Sequence, residues 1–147
     1  MKRTILVLVA AVAVGGCGQS PRCAANNAEA LVEALKPKEQ FRSMLTMTVE
    51  RTQTAAMAAA RDGPAARQKL AQAVDEAVER HGTEWESNLV ASWQTLSAAE
   101  LQQVCSAVAK HDQNTFMQFA ERLGPEVKSR NEPLMQRAAV EVLTAVW

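Results

Sequence analysis

His81 and His111 are the two imidazoles of the sequence, and a histidine beside a carboxylate is the side-chain pair best suited to moving protons near neutral pH. Asp112 follows His111, and Glu84 and Glu86 lie just beyond His81. An acid/base or metal-binding site built from His81, His111 and nearby carboxylates is therefore one chemistry that these residue types allow. The competing reading is structural. His81 falls seven residues after Val74 and His111 three after Val108, so each extends an apolar stripe to a helix end, where an imidazolium interacts favourably with the helix dipole. Met44, Met47 and Met57 offer thioethers of the kind that hold copper(I), but Phe41 and Leu45 share the neighbourhood of the first two, which favours core packing. No glycine-framed turn presents a Ser or Cys nucleophile. The structural reading is the stronger throughout, so no catalytic residue, metal ligand or cofactor is assigned.

The three cysteines carry more information. Lys2 and Arg3 precede an unbroken apolar run from Ile5 to Val14, followed by Gly15, Gly16 and Cys17. This is the pattern of a secretory signal peptide. As a helix the run would be roughly 15 Å long, half of the ~30 Å hydrocarbon core of a bilayer, and so too short to span it comfortably. The segment Val14-Gly15-Gly16-Cys17 resembles the lipobox of bacterial lipoproteins. The resemblance implies cleavage after Gly16, a thioether-linked diacylglycerol on Cys17 and acylation of the new amino group. Such chains would hold the protein on a membrane without a transmembrane helix, since each buried methylene contributes about 0.8 kcal/mol. Gly18, where retention at the inner membrane would call for Asp, points to the outer membrane facing the periplasm. An ordinary signal peptide with Cys17 incidental is the alternative.

Residues 1–16 are thus read as signal peptide, 17–26 as lipidated N-terminus and tether, and 27–147 as the folded domain. Cys23 and Cys105 remain as an even pair in an oxidising compartment, where a disulfide is one reading. The other is a reduced Cys105 in the core with Cys23 exposed in the tether. Neither has a second Cys or His at ligand spacing, which argues against zinc.

Charge excludes one broad class of partner. The chain carries 16 Lys and Arg against 16 Asp and Glu, without the basic cluster that phosphate binding requires, so no nucleic-acid role is read. Removing the first sixteen residues takes away Lys2 and Arg3 alone and leaves the domain slightly acidic.

The elements that must position these residues are helices. Alanine is abundant and tyrosine absent, and apolar positions recur at three and four rather than two. Asn26 or Asn27 caps a first helix to about Lys36, ended by Pro37. A second is expected from Lys38 to Arg61, with Phe41, Met44, Leu45, Thr48, Thr52, Ala55 and Ala59 on one stripe. Asp62-Gly63-Pro64 stops it. The third runs to His81, with Leu70, Ala73, Val74, Ala77 and Val78 inward, and Gly82 closes it. Two capping boxes follow, Thr83 with Glu86 and Ser97 with Glu100. The first opens a helix bearing Trp85, Leu89, Val90, Trp93 and Leu96; the second opens one bearing Leu101, Val104, Cys105 and Val108. Gln113 to Leu123 presents Phe116, Phe119, Ala120 and Leu123 before a break at Gly124-Pro125. Asn131 then caps a last helix carrying Leu134, Ala138, Val142 and Ala145. The expectation is one all-α compact bundle of about six or seven helices joined by short turns.

Thr95-Leu96-Ser97-Ala98-Ala99-Glu100-Leu101, between two apolar helices, resembles the second half of exported bacterial proteins grouped as domain of unknown function family 2059. The short helix around Leu31 to Leu35 and the Met-containing helix after it resemble the first half. The resemblance implies a helical fold outside the cytoplasm and supplies no catalytic residues.

Trp85 and Trp93 complete the candidates. Eight residues apart, they return to nearly the same helical face, either as anchors of the core or, since Trp is enriched in binding hot spots, as a partner surface. Core packing is the favoured reading because so few aromatic residues exist to build it. The sequence therefore reads as a lipid-anchored, non-enzymatic binding or assembly module of the bacterial cell envelope, with the membrane and an envelope protein as its partners.

Overall fold

Side-chain caps set most of the helix starts. The computed structural model describes Cys23 and residues 25–147; the signal peptide and Cys17 lie outside the described residues. Asn27 accepts from the Ala30 amide at 2.8 Å and opens α1 (Ala28–Ala34). Lys36 turns through a left-handed conformation, and Pro37, at the first position of α2 (Pro37–Glu50), loses nothing by lacking an N–H there. α3 (Gln53–Asp62), α4 (Pro64–Trp93), α5 (Ala98–Lys110) and α6 (Gln113–Val146) follow. Gly63, at φ +57°, makes the turn between α3 and α4. Ser97 and Glu100 form the expected capping box at the head of α5, and Asp112 caps α6 through the Thr115 amide.

The all-α expectation holds, with six helices and no strand among the described residues. Three boundaries differ from the sequence reading. The helix expected from Lys38 to Arg61 is broken at Thr52, which is extended (ψ 150°). The Thr52 hydroxyl donates to Val49 O at 2.7 Å and accepts from Ala55 N at 3.2 Å, so one side chain satisfies a carbonyl before the break and an amide after it. The buried stripe of α2 is Phe41, Leu45 and Val49. Thr48 is exposed, with its hydroxyl on Met44 O.

Gly82 does not close a helix. α4 runs through it for 30 residues, roughly 45 Å, and the Thr83–Glu86 box is not used. A mid-helix glycine costs about 1 kcal/mol relative to alanine, which is outweighed by keeping Ala77, Val78, Trp85 and Leu89 on one continuous buried face. Nor does Gly124-Pro125 end a helix. α6 continues for 34 residues with Pro125 and Pro133 inside it, and Asn131 lies in its interior rather than at a cap. Each proline removes one backbone hydrogen bond. Both prolines are exposed, as are Glu121 and Ser129, the residues four positions earlier, so the freed carbonyls can turn to water.

α4 and α6 form the antiparallel spine, with α2 and α3 on its first half and α1 and α5 on its second. Phe41 stacks on Trp85 with ring centroids 5.0 Å apart, and Trp93 meets Phe116 at 5.9 Å. Leu31 and Val32 of α1 are fully buried. Glu100 and Arg122 pair at 2.7 Å and tie α5 to α6. Among the described residues no helix is long and apolar enough to cross a membrane.

Candidate functional site

Cys23 precedes α1 and Cys105 lies on the buried face of α5. Their sulfurs are bonded, with Cα atoms 5.2 Å apart, inside the usual range for a disulfide. Both are buried, Cys23 at 7% exposure and Cys105 at 2%. Cys23, which falls in the segment read as tether, packs in the same core cluster as Leu31, Val32 and Cys105, and Asn26, at φ +49°, turns the chain into α1.

A polar seam runs along one edge of the spine. Arg80 and His81 both reach Glu141, His81 through Nε2 at 2.7 Å from Oε2. One turn on, Glu84 pairs with Arg137 at 2.7 Å. A further turn on, Asn88 Nδ2 donates to Asn131 Oδ1 at 3.2 Å and to Arg130 O at 3.3 Å. Residues at three- and four-residue spacing on α4 thereby meet Glu141, Arg137 and Asn131 in descending order on α6, as an antiparallel pairing requires.

His81 is in the interior of α4 rather than at a helix C-terminus, the place expected for it, because the helix does not stop at Gly82. Burial, then the Arg137 and Arg80 cations, hold its imidazole below the ordinary value, with Glu84 opposing. The neutral ring, protonated on Nε2, is the form that donates to Glu141.

His111 is elsewhere. It caps α5 in a left-handed conformation and is exposed. α6 begins just after it at Gln113, whereas Glu141, the partner of His81, lies 28 residues along that helix, roughly 42 Å of helical path. The structure does not bring the two imidazoles together. Among the described residues no group of three or more His, Cys, Asp or Glu side chains has the arrangement of a metal site.

The remaining candidates divide. Trp85 and Trp93 are buried, at 3% and 4% exposure, and build the core, the favoured reading. Met44 packs against the core, but Met47 and Met57 are half exposed, so the core expectation for those two is corrected. The new break at Thr52 and the buried line Phe41, Leu45, Val49 turn them outward.

Two features had escaped the sequence reading. Asn131 is 4% exposed and its Nδ2 has no hydrogen-bond partner, as is also true of Trp85 Nε1. The alanine-rich α3, the start of α4 and the end of α6 enclose a groove of about 200 Å³ lined by Ala55, Ala59, Ala66, Leu70 and Val146, with Glu50 and Arg67 at its rim. Arg61 lies over the exposed Trp147 ring at 5.5 Å nearby. The run Ala58-Ala59-Ala60 signalled only a good helix former; small side chains at an inter-helix junction leave a hollow, which no local pattern announces.

Fold and geometry together define a disulfide-stapled six-helix bundle with a polar α4–α6 seam. No family model, curated protein or solved structure matches the chain.

Proposed function

We propose that this protein is an exported, lipid-anchored helical domain of the bacterial cell envelope that acts as a non-enzymatic binding or assembly module. The observation that carries the reading is the buried Cys23–Cys105 bond, because disulfides persist outside the reducing cytosol and are scarce within it. Cys17, in a segment resembling a lipobox, stands six residues ahead of Cys23, so the same short stretch supplies both an address and a staple. An exposed apolar residue supports a binding role: Trp147, 62% exposed, follows Val146, which lines the alanine-walled groove.

An envelope enzyme using His81, His111 and neighbouring carboxylates would need the imidazoles in one pocket, whereas His111 sits just before the start of α6 and His81, on α4, contacts Glu141 near the end of α6. His81 is instead engaged with Glu141 as part of the helix pairing.

The test is fractionation of cells that express the full chain. The wild type is expected in the membrane fraction and Cys17→Ser in the soluble one. Equal distribution of the two would overturn the lipid anchor.

A further inference from the structure

The disulfide settles where a tether from Cys17 enters the fold, and that entry point has a distinct surface. Cys23 is bonded to α5, and α1, which follows it, meets the far end of α4 where Gln94 Nε2 donates to Glu29 Oε1 at 2.9 Å. The groove, Arg61 and Trp147 lie at the other end, where α4 begins. The two ends of α4 are roughly 45 Å apart.

From Cys17 to Cys23 is six residues, at most about 20 Å of extended chain. A lipid on Cys17 therefore holds the α1–α5 pole within that distance of a bilayer.

The same pole is poorer in charge than the opposite one. Residues 91–109 contain a single charged side chain, Glu100, which is paired with Arg122, and α1 adds the exposed Glu29 and Glu33. Gln94, Thr95, Ala98, Gln102 and Gln103 are exposed there, as are Asn26 and Asn27 beside the disulfide. Residues 50–69, at the opposite pole, carry six charges: Glu50, Arg51, Arg61, Asp62, Arg67 and Lys69. Bringing a charge toward a low-dielectric layer carries a desolvation cost that a neutral amide or hydroxyl bears in much smaller measure.

We infer that the α1–α5 pole, centred on Cys23–Cys105 and the α4–α5 turn, is the face the protein presents to a phospholipid bilayer, so that the groove and Trp147 point away from it. The inference rests on the lipid anchor proposed above. It assigns each pole a surface to meet: lipid headgroups at the less charged one, and the aqueous compartment at the more charged, grooved one.

The experiment uses the full chain, extracted from membranes and returned to vesicles of phosphatidylethanolamine and phosphatidylglycerol with an acceptor dye on a minor lipid. A donor is placed at Gln103→Cys or Gln68→Cys, both exposed positions, and the intact mass of each sample is recorded. Strong energy transfer from position 103 with near-background transfer from 68 is the expected result. A long Gly-Ser insertion after Ser20 should then weaken the transfer from 103, because reach is what restrains that pole. Equal transfer from both positions, or stronger transfer from 68, on a chain that carries the acyl mass overturns the orientation while sparing the anchor. A chain without the acyl mass overturns both.

Discussion

His81 Nε2 lies 2.7 Å from Glu141 Oε2, sixty residues away in sequence, and this contact joins the middle of α4 to the last turns of α6. The side chain of His81 is 17% exposed, and Arg80 and Arg137 stand on either side of the pair. Protonating the ring would place a third cation among them.

Stability should accordingly fall as the pH drops. The folded-state pKa of His81 is lowered, so the unfolded chain binds the proton more readily. Stability rises with pH through the window from the folded value up to the ordinary value near 6.5, and is lost on acidification through it. Glu100 and Asp112, whose carboxyls are held low chiefly by hydrogen bonds from Ser97 and Thr115 respectively, contribute stability lost only below about pH 4. Thermal melts between pH 7 and 5 should show a decline in the wild type that His81→Gln flattens. An unchanged slope in the variant would show that His81 does not supply it.

Replacing the two helical glycines should stabilise the fold. A Cβ on Gly82 would meet only the flexible Lys38 stem, at 3.4 Å, and one on Gly124 would meet nothing within 4 Å. Gly82→Ala and Gly124→Ala should each gain up to about 1 kcal/mol from helix propensity, read as raised midpoints in urea. A loss at either position would mean that the helix is not continuous there.

The core aromatics should be costly to remove. Trp93→Ala deletes a side chain buried to 4% exposure and its contact with Phe116, and should destabilise by about 3 to 5 kcal/mol. A variant that keeps wild-type stability would return Trp93 to the list of surface candidates.

Asn131→Leu should act in the other direction. The buried amide nitrogen has no hydrogen-bond partner, and Asn88, which donates to its oxygen, retains Arg130 O, so an apolar side chain of similar size removes a desolvated donor group. An increase in melting temperature is expected. A decrease would place an unseen partner, such as a bound water, on Asn131 Nδ2.

Local signals in the sequence were legible where nothing distant competed with them. Ser97 and Glu100 make their box as read, as does the Asn27 cap. Thr83 and Glu86 show the same pattern and do not, because the buried face that joins Val78 to Trp85 keeps the helix intact. Gly82, Gly124 and Pro125 were read as stops for their local cost, which longer-range burial exceeds. Those false stops also hid the polar seam: His81 and Glu141 come into register only once α4 and α6 are each recognised as unbroken. Arg80, Glu84 and Asn88 beside the apolar face of one helix, and Arg137 and Glu141 beside that of the other, were the available signal.

The disulfide offers a direct check on export. Closing a loop with a sequence separation of 82, it should contribute roughly 4 to 5 kcal/mol in the chain-entropy account. Protein taken freshly from the envelope should resist alkylation at Cys23 and Cys105 under denaturing conditions until a reductant is added. Immediate labelling of both would contradict an oxidised pair.

The central claim, that this chain is processed, lipidated and held at a membrane, is tested most directly by the intact mass of the protein extracted from membranes of cells expressing all 147 residues. The account predicts a chain that begins at Cys17 and carries the added mass of a diacylglycerol and an amide-linked acyl chain, with two hydrogens missing for the Cys23–Cys105 bond. A chain with unmodified Cys17, recovered mainly from the soluble fraction, would contradict it.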